Sequence, residues 1–176
     1  GEAGPKDPDL SIISIQSRDG RPIAVLGNFS MHYFGDRDIS ADYFGLFSEG
    51  LKARIAPEAA KGKPPFVGIM SHGCSGDIYR TDYKIPEKDR PKPTIDEYTK
   101  GLLDIAMTAY AGIKHRADAD VAMAERRMTL NYRVPDKQRL EWAERIVAGM
   151  TNRLAKTTTE VYAREQIILH ERQKTE

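Results

Sequence analysis

The amino-terminal part of the chain alternates short apolar runs with polar turns. Residues 10–16 (LSIISIQ) and 22–30 (PIAVLGNFS) flank a turn that contains Asp19 and Gly20. Two such runs around an Asp-Gly turn are typical of a β-hairpin. The pattern therefore predicts a hairpin within residues 9–35.

A third apolar run, residues 66–70 (FVGIM), is too short for a helix, and the Gly-rich string SHGCSGD follows it. Such a run, bounded by breakers, is typical of a buried strand. We therefore expect a strand and a loop within residues 66–83.

Helical periodicity marks the remaining elements. Apolar residues recur at helical spacing in residues 40–56, and Thr94 and Glu97 form a capping box at the start of a second helix. Two further helices are predicted over residues 136–150 and 160–172.

Residues 121–134 differ, because Met123, Met128, Leu130 and Tyr132 stand in rough alternation. This pattern predicts a strand at the flank of the sheet. Residues 94–174 are therefore expected to hold helices with one flanking strand. Strands that alternate with helices predict the α/β class: a layered α/β sandwich with a mixed β-sheet flanked by helices.

Composition excludes several classes of protein. The 27 Lys and Arg residues balance 26 Asp and Glu residues, so bulk positive charge does not make the chain a nucleic-acid binder. No apolar run is long enough for a transmembrane segment. Cys74 is the single cysteine, which excludes an internal disulfide and a Cys-rich zinc module, and we expect it to be a small buried thiol. The 176-residue length predicts one domain.

Two histidines, His32 and His72, each follow an expected strand. Ligands and reacting groups of open α/β sheets gather beyond the strand ends, so we predict that both histidines lie at one edge of one sheet. Imidazole and carboxylate groups can together bind zinc. The nearby carboxylates are those of Asp36, Asp38, Asp42 and Asp77. Spacing alone favours the plainer alternative, two strand-end histidines bonded to the backbone, because no HxxxH pair is present.

Ser75 lies in the Gly-rich loop, but the loop lacks the G-x-S-x-G pattern of a nucleophile elbow. Its hydroxyl can serve as a nucleophile only beside a base such as His32. The ordinary interpretation of the loop is a tight turn near a ligand.

Three strings in this order, GNFSMHYFG, SADYFG and FVGIMSHGCSGDIY, resemble the N-terminal catalytic domain of the neutral/alkaline non-lysosomal ceramidase family, closest to its bacterial ceramidase-like members. The resemblance covers approximately residues 12–170. It implies a zinc-dependent amide hydrolase, a small-molecule or lipid substrate such as ceramide, and a secreted or periplasmic location. It also implies that residues 1–176 form a single segment of a larger catalytic domain.

The resemblance assigns roles residue by residue. His32 matches a zinc-binding histidine of the family, whose other ligands (a histidine, a glutamate and a tyrosine) have no counterpart in this chain. Asp77 and Tyr79 are the candidate catalytic residues, and Tyr79 is a potential donor to an oxyanion. Apart from the residues that the resemblance matches, His72 and Ser75 of the same loop are the candidate substrate-binding residues. Tyr79 stands where the family has a serine implicated in catalysis, so the alternative is a non-catalytic binding or structural module on the same scaffold.

Overall fold

The computed structural model divides the chain into two compact units, Gly1–Asp120 and Val121–Glu176, where the length predicts one domain. The residues that it describes are 4–58, 60–131, 133–151 and 153–173.

The predicted hairpin is confirmed. Strand β1 (Ser11–Gln16) pairs antiparallel with strand β2 (Pro22–Phe29). In the turn between them, the N–H of Gly20 donates to the carbonyl of Ser17 at 2.9 Å. Gly20 has a φ of +84°, a conformation that glycine adopts without steric cost.

Strand β3 (Val67–His72) lies parallel to β2, so the sheet is mixed and has the order β1-β2-β3. Phe29, the last residue of β2, lies opposite His72, the last residue of β3. Helix α1 (Asp42–Ile55) connects the two parallel strands. The crossover places the carboxyl ends of β2 and β3 side by side.

Helix α1 covers one face of this sheet, and its residues Tyr43, Phe47 and Leu51 are fully buried there. Two glycines of the sheet allow the close packing. A Cβ atom on Gly27 would lie 3.0 Å from the Phe47 ring, and one on Gly68 would collide with a carbonyl oxygen of the helix.

Helix α2 (Ile95–Ala111) packs beside α1 in the same core. The predicted capping box is confirmed: Glu97 N–H donates to Thr94 Oγ1 at 3.2 Å, and Thr94 N–H donates to Glu97 Oε2 at 2.8 Å. A short 3₁₀ helix (Glu87–Asp89) lies in the connection from β3 to α2.

The opposite face of the sheet is apolar and exposed. Ile13 and Ile69 both align with Leu26 of the central strand, so their side chains share this face. Their exposed fractions are 61% for Ile13 and 44% for Ile69. The layered α/β arrangement is confirmed, with the helices of the first unit on the other face.

The second unit contains α3 (Lys137–Ala148) and α4 (Thr158–Arg172), which pack against each other. Ala143 and Ala163 are fully buried, one from each helix. Small side chains at such positions allow two helices to approach closely.

The predicted flanking strand is wrong, because residues 121–131 and 133–134 form no regular element. Met123, Met128 and Leu130 are 87%, 70% and 79% exposed, and Tyr132 lies outside the described residues. A strand needs a neighbouring strand for its N–H and C=O groups, and the alternation of apolar residues does not supply one.

Candidate functional site

The ends of β2 and β3 are joined by backbone hydrogen bonds. Gly73 N–H donates to the carbonyl of Phe29 at 3.1 Å, and His32 N–H donates to the carbonyl of Ile78 at 2.9 Å. His32 and the loop that follows His72 therefore lie at the same edge of one sheet, as the sequence predicts. We call the segments 30–36 and 72–80 at this edge the strand-end site.

His32 carries the one buried side-chain polar atom without a hydrogen-bond partner among the described residues, its Nδ1. The ring lies beside that of Tyr33, with centroids 4.2 Å apart. Leaving a buried polar atom unpaired costs about 1–3 kcal/mol, and such atoms in native structures call for a ligand, an ion or a water. Nδ1 of His32 is therefore a buried atom of the site whose bonding capacity is unused.

His72 is engaged by the backbone. Its Nε2 donates to the carbonyl oxygen of Met31 at 2.9 Å, which assigns the proton to Nε2, and its ring meets Phe44 edge-on with centroids 5.0 Å apart. A histidine bonded to a carbonyl oxygen in this way is the plainer of the two alternatives left open by the sequence.

The same carbonyl of Met31 accepts a second hydrogen bond, from the hydroxyl of Tyr43 at 2.8 Å. Tyr43 is fully buried, and burial raises the pKa of its hydroxyl, with a smaller contribution from the neighbouring Tyr98 and Asp42. Tyr43 is therefore a neutral donor that fixes the backbone just before His32.

Asp42 fixes the backbone just after His32. Its carboxylate accepts hydrogen bonds from the N–H groups of Phe34 at 2.7 Å, Gly35 at 2.9 Å and Asp36 at 3.1 Å. Burial raises the pKa of Asp42, but the backbone N–H groups bonded to it outweigh burial and lower the pKa below its ordinary value. The carboxylate of Asp42 is therefore committed to the backbone.

Asp42 adopts a φ of +52°, which is uncommon for a residue other than glycine. Ser40 supports this geometry, because its hydroxyl accepts the Asp42 N–H at 2.9 Å and donates to Asp36 at 2.8 Å. Two of the four carboxylates near the histidines, those of Asp36 and Asp42, thus bond within their own loop.

The loop after His72 turns tightly at Ser75, whose carbonyl accepts the N–H of Ile78 at 3.1 Å. Ser75 is buried, and no hydrogen bond joins it to His32 in the described part of the chain. Asp77 is exposed. Cys74 lies in the predicted loop but is exposed, so the expectation of a buried thiol is wrong: the loop turns the neighbouring Ser75 inward instead.

Tyr79 is paired with Arg80, a residue that the sequence analysis missed. The guanidinium group of Arg80 stacks on the Phe34 ring, 3.8 Å from its centroid, and on the Tyr79 ring, 4.4 Å from its centroid. Its Nη1 donates to the carbonyl of Phe34 at 2.8 Å and to the Tyr79 hydroxyl. In the sequence, the only indication of a role for Arg80 is that it directly follows the candidate Tyr79.

The described residues do not by themselves fit a zinc site. No three His, Cys, Asp or Glu side chains among them form a group that could hold a metal. Asp42 spends its carboxylate oxygens on backbone N–H groups and His72 spends its Nε2 on a carbonyl, whereas the buried Nδ1 of His32 has no partner among the described residues. A catalytic zinc usually has three protein ligands and a structural zinc four.

An apolar groove of about 450 Å³ lies on the surface of the first unit, and all its lining residues belong to that unit. Tyr98 lines it, and its ring lies 5.7 Å from that of Phe34, centroid to centroid. The groove therefore shares a wall with the aromatic cluster around Arg80. Its apolar lining residues include Leu10, Phe29, Leu102 and Ile105.

Comparison of the chain with family models, curated proteins and solved structures returns no match. The resemblance to ceramidases therefore stays a prediction. Among the described helices, none combines the length and the apolar character that crossing a bilayer requires.

Proposed function

We propose that this chain provides part of the active site of a ceramidase-like hydrolase, which cleaves an amide or ester bond in a small-molecule or lipid substrate. The unpartnered Nδ1 of His32 is the observation that carries the proposal, because the atom is buried at the joined ends of two strands. Buried polar atoms are otherwise almost always paired.

Zinc is the cofactor that the family resemblance implies, and His32 is the ligand that we propose for it. Zinc at such a site supplies a Lewis acid. A zinc ion at His32 would need further ligands beyond those that the described residues group there. We therefore propose that this chain contributes one zinc ligand, His32, held in a fixed position.

Tyr79 is the residue that we propose to stabilise negative charge on the substrate. Because its hydroxyl accepts a hydrogen bond from Arg80, the hydroxyl proton is free to be donated to an oxyanion. Such donors act best when they are held in place beforehand, and the stacking of Arg80 on the Tyr79 ring restricts this side chain. Asp77, His72 and Ser75 would line the substrate side of the same loop.

The apolar groove supports a substrate with a hydrocarbon part. It borders the aromatic cluster around Phe34 and is lined mainly by aliphatic and aromatic carbon. Burial of such a chain contributes about 0.8 kcal/mol per methylene group. An acyl group of a few carbons would therefore add binding energy there.

Hydrolysis of a fluorogenic N-acyl amide tests the proposal when it is measured, with zinc supplied, on a protein that carries this chain together with the remaining zinc ligands. We expect His32→Ala to lower the rate at least about ten-fold and Tyr79→Phe by a similar factor. His170→Ala, in the second unit, is the matched control and should match the wild type. An equal rate for His32→Ala and the wild type would remove His32 from the active site.

The second candidate function is a binding module without turnover. Tyr79 at the position of the family's serine favours it, as does the lack of a three-ligand metal group in the described residues. Equilibrium dialysis of the same longer protein against zinc separates the two candidates. Stoichiometric zinc that is lost in His32→Ala supports the hydrolase, whereas a folded protein without bound zinc supports the module.

A further inference from the structure

The guanidinium group of Arg80 lies over two aromatic rings and has no acidic partner among the described residues. The Phe34 ring is 3.8 Å away and the Tyr79 ring 4.4 Å away, measured from Cζ to each centroid. None of the ion pairs of the described residues includes Arg80. By contrast, Arg54 pairs with Asp104 at 2.7 Å.

Within the described part of the chain, the hydrogen bonds of Arg80 use one of its three nitrogen atoms, Nη1. Nη1 donates to the carbonyl of Phe34 and to the hydroxyl of Tyr79, and both acceptors are uncharged. No acceptor for Nε or Nη2 is found among the described residues. These two nitrogens form the side of a guanidinium group that binds a carboxylate or phosphate through two parallel hydrogen bonds.

Arg80 is also close to the residues of the proposed function. It follows two positions after Ile78, whose carbonyl accepts the His32 N–H, and it stacks on Phe34, two positions after His32. Burial raises the pKa of Tyr98, and the nearby charge of Arg80 partly offsets that rise. Tyr98 lines the apolar groove, so the same cluster offers an apolar wall and an unpaired cation.

A cation that is partly withdrawn from water is normally balanced by a negative charge, because its desolvation is costly. Contact with two rings and two hydrogen bonds restrict the Arg80 side chain and so reduce the entropy that binding an anion would cost. The rings also shield the group from solvent, which strengthens its attraction for an anion.

We propose that Arg80 binds an anionic group of the ligand at the strand-end site, a carboxylate or a phosphate monoester. Together with the proposed function, on which this part rests, the substrate is an N-acyl compound with an acidic head group, for example an N-acyl amino acid. Ceramide, which has no charged group, is then not the preferred substrate.

Two probes of matched length test the inference without any turnover. N-hexanoylglycine carries a carboxylate where N-hexanoylethanolamine carries a neutral alcohol. Binding is followed by NMR from the shift of the Arg80 Nε–H signal and of the backbone amides of residues 72–80. We expect the wild type to bind the carboxylate at least about ten-fold more tightly.

Arg80→Met retains much of the side-chain volume and should lose this preference, whereas Arg80→Lys should keep part of it through its charge. The matched control is Arg90→Met, because Arg90 also lies over a tyrosine ring, that of Tyr83, and donates to a carbonyl, that of Ile85. This variant should bind as the wild type does. A third probe, the phosphate monoester of N-hexanoylethanolamine, distinguishes the two anions.

Equal affinity of the wild type for the acidic and neutral probes would overturn the inference, as would a lack of binding or a preference that survives in Arg80→Met. Hydrolysis of the same probes is measured separately, on the protein that carries this chain together with the remaining zinc ligands. Selective binding of the acidic probe without hydrolysis would support the role of Arg80 and contradict the proposed hydrolase, so the two failures are distinguishable.

Discussion

The carboxylate of Asp42 holds the backbone of Phe34, whose N–H group lies 2.7 Å from Oδ1. The same carboxylate also accepts the N–H groups of the next two residues. On the other side of His32, the hydroxyl of Tyr43 holds the carbonyl of Met31 at 2.8 Å. Two adjacent residues at the start of α1 thus fix the chain before and after His32.

We expect Asp42→Ala to destabilise the first unit by about 2–3 kcal/mol, because it removes several hydrogen bonds to a charged group and places alanine at a positive φ. Asp42→Gly tolerates the same φ and should cost less, so the difference between the two variants measures the backbone strain. Amide hydrogen exchange of residues 34–36 reports on this unit directly. Unchanged protection in both variants would contradict the role given to the carboxylate.

The pH dependence of the same contact follows from its lowered pKa. Because the folded protein lowers the pKa of Asp42, the stabilisation is fully present above the ordinary value near 4 and is lost as the pH falls through the lower, folded value. Asp42→Asn removes the titration and retains one oxygen as acceptor. The wild type should therefore exceed Asp42→Asn in stability by a constant amount from pH 5 to 8, and the difference should shrink below about pH 4. A difference that grows on acidification would contradict this.

Gly73 and Gly76 belong to the same loop but meet different surroundings. A Cβ atom on Gly73 would collide with the hydroxyl of Ser30, whereas one on Gly76 would meet no atom within 4 Å. We expect Gly73→Ala to cost about 1–3 kcal/mol through overpacking and Gly76→Ala to cost less than about 0.5 kcal/mol. Urea unfolding of both variants, followed by NMR of residues in the first unit, makes the comparison. Equal costs would mean that the loop moves freely away from β2.

The features that the sequence predicts well are local ones. The Asp-Gly turn of the hairpin and the capping box of Thr94 and Glu97 each involve residues within five positions of one another, and both are confirmed. The expected flanking strand is absent from the described residues 121–131 and 133–134, because alternation indicates only that one face is apolar. Pairing depends on a distant partner that the pattern does not contain.

The candidate site shows the same contrast between features that the sequence predicts and contacts that it does not. The common edge for His32 and His72 could be predicted, since parallel strands end together. The contacts that define the site could not, because they join residues far apart in the chain. The bond from His72 to Met31 spans 41 positions and that from Arg80 to Phe34 spans 46. Stacking of Arg80 leaves no periodic signal in a sequence.

The carbonyl of Met31 has two donors, which predicts a coupling between them. Tyr43→Phe removes one hydrogen bond and should cost about 1 kcal/mol, because His72 Nε2 continues to satisfy the carbonyl. His72→Phe should cost a similar amount for the same reason. The double variant leaves a carbonyl of a buried residue unpaired, so its cost should exceed the sum by about 1 kcal/mol or more. Tyr33→Phe, at an exposed tyrosine, is the control, and strict additivity would contradict the shared acceptor.

In the second unit, Glu160 accepts hydrogen bonds from both terminal nitrogens of Arg153, at 3.0 and 2.5 Å, and from the N–H of Lys156 at 2.7 Å. The bonds to the Arg153 side chain are the largest cause of a pKa of about 2 for this carboxyl. We expect Arg153→Met to raise the Glu160 pKa measurably towards its ordinary value, while the bonds from Lys156 and Thr157 N–H keep it somewhat below. Titration of the side-chain carboxyl carbon by NMR measures both values.

The stability of this unit should follow the same titration. Because the folded pKa of Glu160 is lowered, its contribution is present above the ordinary pKa near 4.3 and is lost as the pH falls towards 2. Trp142 is the single tryptophan and lies in α3, so its fluorescence follows the unfolding of this unit. Arg153→Met should lower the midpoint of this unfolding transition at pH 7 and should have a smaller effect on it at pH 2. Lys137→Met is the control, since its pair with Glu141 is exposed and 3.9 Å long, and it should leave the midpoint unchanged at both pH values. An equal loss for the two variants at pH 7 would show that the Arg153–Glu160 pair is no more than an ordinary surface contact.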